Sequence, residues 1–285
     1  MTASSLHGPG KLLGQGGTAE IYAWGDAQAL KLYHAGWPAS WVEQEARISQ
    51  QVAQTSLPVP AVGGVIAIDG RQGILFERIT GPTLVQHFVA RPWTIARSVR
   101  AFTDLHLAMH AQSIPDLPSQ RQQVLRLIHE AAVPAAVRQA ALQRLDQLPE
   151  GSALCHGDYH PENVLMTRSG PIIIDWAGAT SGHPLADVVR TALLLQVGEL
   201  PRAPMSQWLL ASARAVVHTA YLRRYLRQRP VRAEDLAAWR LPIVVARLGE
   251  GIAEERGHLL RLLENSVITN SEPQRSRGKL DTESG

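Results

Sequence analysis

Leu154-Cys155-His156-Gly157-Asp158-Tyr159-His160-Pro161-Glu162-Asn163-Val164-Leu165, followed by Ile172-Ile173-Ile174-Asp175-Trp176, is the stretch from which the rest of the chain can be interpreted. Residues 164–167 and 171–174 read as two short apolar strands about a turn at Ser169-Gly170. Pairing them puts Asn163 and Asp175 at the same open end of the hairpin, each about six residues from the turn centre. A carboxylate and an amide oxygen, with water in the remaining positions, suit Mg²⁺, which takes only one or two protein carboxylates beside substrate phosphates. Asp158 lies on the loop just upstream, where it would act as a general base or orient a hydroxyl. His156 is expected to orient the loop by hydrogen bonding.

Working towards the N-terminus, Gly14-Gln15-Gly16-Gly17-Thr18-Ala19 falls between two predicted strands. Small residues there let backbone N–H groups approach a phosphate, so Gly14, Gly16 and Gly17 are candidate nucleotide contacts. The segment is no Walker A loop, because it lacks the Gly-Lys-Ser/Thr that opens a helix. Lysine occurs only at Lys11, Lys31 and Lys279, all other cations being arginine. Lys31, in Ala29-Leu30-Lys31-Leu32-Tyr33, projects opposite Leu30 and Leu32 and offers a compact charge suited to phosphate oxygens. Glu43 and Glu45, on a helix expected over 41–53, are the carboxylates available to hold it. Glu45 is preferred because Ala46 and Ile48 give it apolar surroundings.

Strands over 63–68 and 73–79 complete a small antiparallel sheet with one helix, and Gly81-Pro82 reads as a hinge. Residues 93–110 and 120–148 then show apolar positions at helical spacing, with a break near 115–118. Helices resume at Leu185 and run, with interruptions, to about residue 264. The fold class is therefore α+β: an N-terminal lobe over 1–80, a larger mainly helical lobe over 81–265, and a polar tail over 266–285 expected to be disordered.

The spacing His-Gly-Asp-x-His-x-x-Asn with a following Ile-Asp-Trp resembles the catalytic signature of the aminoglycoside phosphotransferase and choline kinase family, whose members have a protein-kinase-like fold. The resemblance covers the glycine loop to Asp187, roughly two-thirds of the chain. It implies ATP between the lobes, Asp158 acting on the acceptor hydroxyl, Mg²⁺ on Asn163 and Asp175, and Lys31 with Glu45 holding the nucleotide phosphates. Asp187 resembles the family aspartate that braces the catalytic loop. Gly157 and Trp176-Ala177 replace the residues of the protein-kinase forms His-Arg-Asp and Asp-Phe-Gly, which argues against protein substrates and activation-loop control.

Composition narrows the field further. The 285 residues are 45% hydrophobic and 19% charged, as in a globular enzyme, and no apolar run approaches the roughly 20 residues of a membrane span. Residues 1–7 lack the basic start and apolar stretch of a secretory signal, so a cytoplasmic location is expected. Twenty-eight Lys+Arg are scattered among 25 Asp+Glu, which implies no nucleic-acid partner. Cys155 is the only cysteine, which excludes an internal disulfide and suits a buried apolar role.

Two alternatives stand beside the kinase. One is a nucleotide-binding regulator of the same fold. The other is a metal-dependent hydrolase, in which a continuous strand would aim His156, Asp158, His160 and Glu162 at one side. The acceptor is expected to be a small molecule bearing a hydroxyl, aminoglycoside-like, choline-like or sugar-like. Glu250, Glu254 and Glu255, read as one helix, are the carboxylates a polycation would need, but the interleaved Arg247, Arg256 and Arg261 favour a solvated acidic face. Oligomeric state and the choice between ATP and GTP are left open.

Overall fold

The computed structural model of the chain describes residues 8–197 and 207–270, with side chains over 8–197 and 214–264. Five strands, β1 (Leu12–Gln15), β2 (Ala19–Trp24), β3 (Gln28–Tyr33), β4 (Val62–Ile68) and β5 (Arg71–Glu77), form one antiparallel sheet in the order β1-β2-β3-β5-β4. Pairing of Gly14 with Ile21, Ile21 with Lys31 and Lys31 with Ile74 sets these four in one row across it. Helix α1 (Ala39–Val52) crosses between β3 and β4 and buries Val42, Glu45, Ala46, Ser49 and Val52, the i, i+3, i+4, i+7 stripe of an amphipathic helix. Val42 and Ala46 pack with Tyr33 and Ile74 of the sheet. A buried glutamate within that stripe requires a partner.

The chain then turns helical: α2 (Leu84–Ala90), α3 (Ile95–Met109), α4 (Gln120–Glu130) and α5 (Ala135–Asp146). Thr83 and Gln86 form a capping box at the start of α2. The single helical stretch expected over 120–148 is two helices, because Pro134 cannot continue one. Two small sheets follow: β6 (Ala153–Cys155) pairs with β9 (Thr180–Gly182), and β7 (Val164–Thr167) with β8 (Gly170–Ile173). The 81–83 segment is stitched to the second: Met166 N donates to Pro82 O at 2.8 Å, and Thr83 bridges Leu165.

Helices α6 (Pro184–Val197), α7 (Gln207–Gln228), α8 (Ala233–Ala238), α9 (Arg240–Gly249) and α10 (Ala253–Asn270) complete the described residues. The tail expected from 266 is corrected in part, since α10 carries helical backbone through Asn270; the remainder, 271–285, lies outside the described residues. Glu250 closes α9 while Glu254 and Glu255 open α10, so the single acidic helix is also corrected; Gly251, at φ +72°, turns the chain between them. One apolar core runs from Ile48, Val52 and Leu57 through Phe102, Tyr159 and Trp176 to Tyr221 and Tyr225, and so carries α1 onto the hairpin and α7. A second joins α4, α5, α6 and α9.

Candidate active site

Lys31 and Asp175, 144 residues apart in sequence, meet where the five-stranded sheet faces the β7–β8 hairpin. Lys31 Nζ lies 2.7 Å from Glu45 Oε1 and 2.8 Å from Asp175 Oδ1. Glu45 is 4% exposed and also accepts from the Tyr33 hydroxyl, which answers the need for a partner on α1. Glu43 is exposed on the outer side of that helix. Burial alone would lower the Lys31 pKa, but Asp175 and Glu45 outweigh it and hold the ammonium above the ordinary range. Asp175 follows β8 with φ +64°, a left-handed backbone that costs a non-glycine residue energy and sets its carboxylate beside Lys31. Partial burial pushes its carboxyl up; the Lys31 charge and hydrogen bond prevail and keep it low.

Gly14, Gly16 and Gly17 lie on β1 and the turn into β2, where Gly16 N donates to Ala19 O at 2.9 Å. No positive φ and no close neighbour demands glycine at these three positions. What their missing side chains keep clear is the outside of the turn.

Between β6 and β7 the chain is a loop pinned by two buried side chains. His156, fully buried, places Nε2 3.1 Å from Ile174 O and accepts from Asp158 N through Nδ1 at 3.3 Å. Tyr159, also fully buried, donates to Phe102 O at 2.8 Å and stacks on the Phe102 ring. Asp158 between them stays 39% exposed. Gly157, at φ +76°, turns the loop here, and a Cβ on it would meet Gly178 O at 2.4 Å. With Pro161–Asn163 in a 3-10 turn, the segment is no strand, and His156 points into the core. The common face required by the hydrolase alternative does not form.

Asn163 donates from Nδ2 to Asp158 O at 2.9 Å and to Asp158 Oδ2 at 3.3 Å, while its backbone O accepts from Ile174 N at 3.0 Å. That last bond joins the two sides of the hairpin mouth where Asn163 and Asp175 were expected together. Burial would raise the Asp158 carboxyl, but the hydrogen bond and charge of His160, with Arg190 and Arg247, hold it far below the ordinary carboxylate range.

Asp187, 1% exposed, accepts four hydrogen bonds. Gly157 N donates to Oδ1 at 3.0 Å; His156 N at 2.9 Å, His106 Nε2 at 3.0 Å and His110 Nε2 at 3.3 Å converge on Oδ2. Behind them Tyr221 and Tyr225 hydroxyls lie 2.7 Å from the two Nδ1 atoms. Neutral imidazoles that donate through Nε2 and accept from tyrosine satisfy every member. Burial, then His110, pushes the His106 pKa down to about 3. Burial works the other way on Asp187, where the two histidines prevail and keep the carboxylate ionised. His106, His110, Tyr221, Tyr225 and Arg190 went unmarked in the sequence reading; the signal was the i, i+4 repeat of histidine on α3 matched by tyrosine on α7.

Residues 11–236 match the profile of the phosphotransferase enzyme family, a span that contains Lys31, Glu45, Asp158, Asn163, Asp175 and Asp187. The chain belongs to the phosphotransferase enzyme family. Solved structures place this phosphotransferase among protein-kinase-like folds. A thermostable mutant of aminoglycoside phosphotransferase APH(4)-Ia, in its apo form, is 16% identical, with 92% of this chain and 95% of that chain covered and a TM-score of 0.66. Amicoumacin kinase hAmiN, in complex with AMP-PNP, Ca²⁺ and Ami, is 14% identical over 91% and 88%, with a TM-score of 0.61. Aminoglycoside phosphotransferase APH(3'')-Id from Streptomyces rimosus is 13% identical over 80% and 89%, with a TM-score of 0.58. At these identities the likeness is one of fold. Comparison with curated protein sequences finds no match.

Proposed function

We propose that this phosphotransferase is a cytoplasmic kinase that moves the γ-phosphoryl group of ATP, with Mg²⁺, to a hydroxyl of a small molecule. The observation that carries the reading is the contact of Lys31 from the sheet with Asp175 from the hairpin, beside a loop that presents Asp158. Residues 1–80 would serve the nucleotide and 81–265 the acceptor, with the phosphates entering between them. GTP is the alternative donor.

Gly14, Gly16 and Gly17 leave the outside of the first turn open to a triphosphate, and Lys31, anchored by Glu45, supplies the point charge. Asn163 and Asp175 fit a hard divalent cation: among the described residues the side-chain hydrogen bonds of Asn163 all use Nδ2, leaving its amide oxygen, and the Asp175 carboxylate is 43% exposed. Mg²⁺ held there would neutralise charge developing on the transferred group. Two solved relatives of this fold hold AMP-PNP, one with Ca²⁺ and amicoumacin and one with hygromycin B, which supports a nucleotide, a divalent ion and a small-molecule acceptor.

Asp158, with its carboxyl held so low, is a weak base and a good anionic anchor: it orients the acceptor hydroxyl in line with the γ-phosphorus. The hydroxyl oxygen then bonds phosphorus as the bond to the β–γ bridging oxygen breaks. ADP leaves with that electron pair, and the hydroxyl proton passes through Asp158 to water. His156 and Asp187 keep the loop in register by holding its backbone.

The test is thermal stability with ATP or GTP, with and without Mg²⁺. At a hundred times Kd a ligand of the folded state adds about 2.7 kcal/mol. The Mg-dependent shift should vanish in Lys31→Ala and Asp175→Ala and persist in Asp158→Ala, which should lose turnover. No nucleotide shift at millimolar concentration, or normal turnover in Asp158→Ala, would remove the proposal.

A further inference from the structure

Next to Asp158, charged side chains alternate in sign. Arg190 Nη2 lies 3.9 Å from Asp158 Oδ1, and Arg190 Nε donates to Gly157 O. Arg190 Nη1 lies 2.6 Å from Glu250 Oε1, and Arg247 Nη1 takes the other Glu250 oxygen at 2.5 Å. Arg247 in turn forks onto Glu255, with Nε to Oε2 at 2.7 Å and Nη2 to Oε1 at 2.6 Å. The Arg247 and Glu255 side chains are only 8% and 7% exposed, so water does little to weaken this pair.

The fork carries two consequences. Both oxygens of Glu250 and both of Glu255 already face guanidinium groups, so the charge of each is compensated before an ammonium group arrives. Glu254, the third acid of the expected cluster, is exposed on the first turn of α10 and takes no part in these contacts. The two arginines and two glutamates cancel. Among the described residues of this network one further carboxylate is left, Asp158, which also faces His160 Nε2 at 3.3 Å and on the kinase reading is aimed where the reacting hydroxyl must come. Glu162, half-buried on the following turn, is the loop carboxylate without an ion pair among the described residues, too little for an acceptor bearing several ammonium groups.

From this geometry we infer that the acceptor is an uncharged polyol, sugar-like in chemistry, and that Arg190 and Glu250 set this preference by closing the acidic surface beside Asp158. The inference rests on the kinase reading and deepens it. A neutral acceptor leaves every ion pair in place. One of its hydroxyls is oriented by Asp158, and a neighbouring hydroxyl oxygen accepts from the Arg190 guanidinium, which carries five N–H donors. A polycation would find the carboxylates of Glu250 and Glu255 already compensated by Arg190 and Arg247. An anion would meet the carboxylate of Asp158 itself.

Phosphate transfer from γ-labelled Mg-ATP by the full chain tests this. The acceptor arms are uncharged hexoses, pentoses and cyclic polyols, a hydroxy acid, choline, and a deoxystreptamine aminoglycoside at equal concentration, each at low and high salt. Nucleotide binding is followed in parallel by thermal shift. Transfer to at least one uncharged polyol should exceed transfer to each charged acceptor by roughly tenfold or more, with little dependence on salt. Transfer to the aminoglycoside, choline or hydroxy acid that matches the best polyol overturns the inference. So does a protein that binds Mg-ATP yet phosphorylates none of the polyols. Loss of nucleotide binding itself would instead mark failure of the kinase reading.

Discussion

Asp187→Asn preserves side-chain shape and removes the charge, and the four donors around the carboxylate make its cost calculable. Oδ1 takes Gly157 N, and Oδ2 takes His156 N together with the two histidine Nε2 atoms. If the asparagine oxygen replaces Oδ2, its NH₂ confronts the Gly157 N–H. If it replaces Oδ1, the histidines can change tautomer and accept, because the tyrosine hydroxyls behind them can accept in turn, but the NH₂ then confronts His156 N–H. Either way one loop N–H loses its acceptor in a dry site, at about 1–3 kcal/mol. The remaining bonds fall from charge-assisted to neutral at about 1 kcal/mol each. The sum is roughly 4–6 kcal/mol out of a typical 5–15, equivalent to a fall in Tm of roughly 8–24 °C. Calorimetry at pH 7 reads it, with kcat falling while the nucleotide-induced shift is kept. A Tm within about 3 °C of the parent would refute the account of Asp187 as the brace.

The buried histidines set an acid limb to stability. His106, pushed down to about 3, stays neutral in the folded chain while its unfolded counterpart takes a proton below about 6.5. Stability is therefore full above that pH and should fall by about 1.4 kcal/mol per pH unit for each such histidine as pH drops towards 3. His156, also lowered by burial, adds to the slope. Between about 4.5 and 6 the depressed carboxylates contribute little, so urea unfolding in that window isolates the histidines, and a flat profile would contradict the assignment. Gly157→Ala and Gly17→Ala should separate two uses of glycine. The first forces a Cβ against Gly178 O at positive φ and should cost about 2–4 kcal/mol, whereas the second meets nothing within 4 Å and should leave Tm within about 1 °C while raising KM for ATP. Equal effects on stability would sink that distinction.

Much of the site was legible because its residues lie in short local signals. The loop and hairpin are one contiguous stretch, so turn chemistry and strand alternation were enough to predict the hairpin mouth that the Ile174 N to Asn163 O bond now joins. The Lys31–Glu45 pair could be read because strand alternation gives one side chain's face and helical spacing the other's. What stayed hidden depends on elements far apart in sequence. His106 and His110 read as ordinary positions of an amphipathic helix; only the arrival of α7, 115 residues on, gives their Nδ1 atoms tyrosine partners. The three-residue strand Thr180–Gly182 has no pattern of its own and exists because β6 offers it a ladder. The acidic stretch was legible only in part: the interleaved arginines spoke against a cation site, but Gly251 splits the expected single helix, and of the arginines that occupy two of the glutamates Arg190 comes from the distant α6.

Lys31 shows how such a site can be held ready and still yield to a substrate. Its two carboxylate partners lie at nearly equal distance, 2.7 and 2.8 Å, but not in equal surroundings, since the Glu45 side chain is 5% exposed and that of Asp175 is 43%. Releasing the buried partner would leave an uncompensated charge in the core beside Tyr33, which makes the Glu45 contact costly to break. The exposed partner can turn to water or to a cation at little cost, because a solvated ion pair contributes only about 0–1 kcal/mol. On the proposed function the difference in burial would order events: a triphosphate reaching Lys31 would displace Asp175 first, Glu45 would keep the ammonium on the sheet, and the released carboxylate would become available at the hairpin mouth beside Asn163.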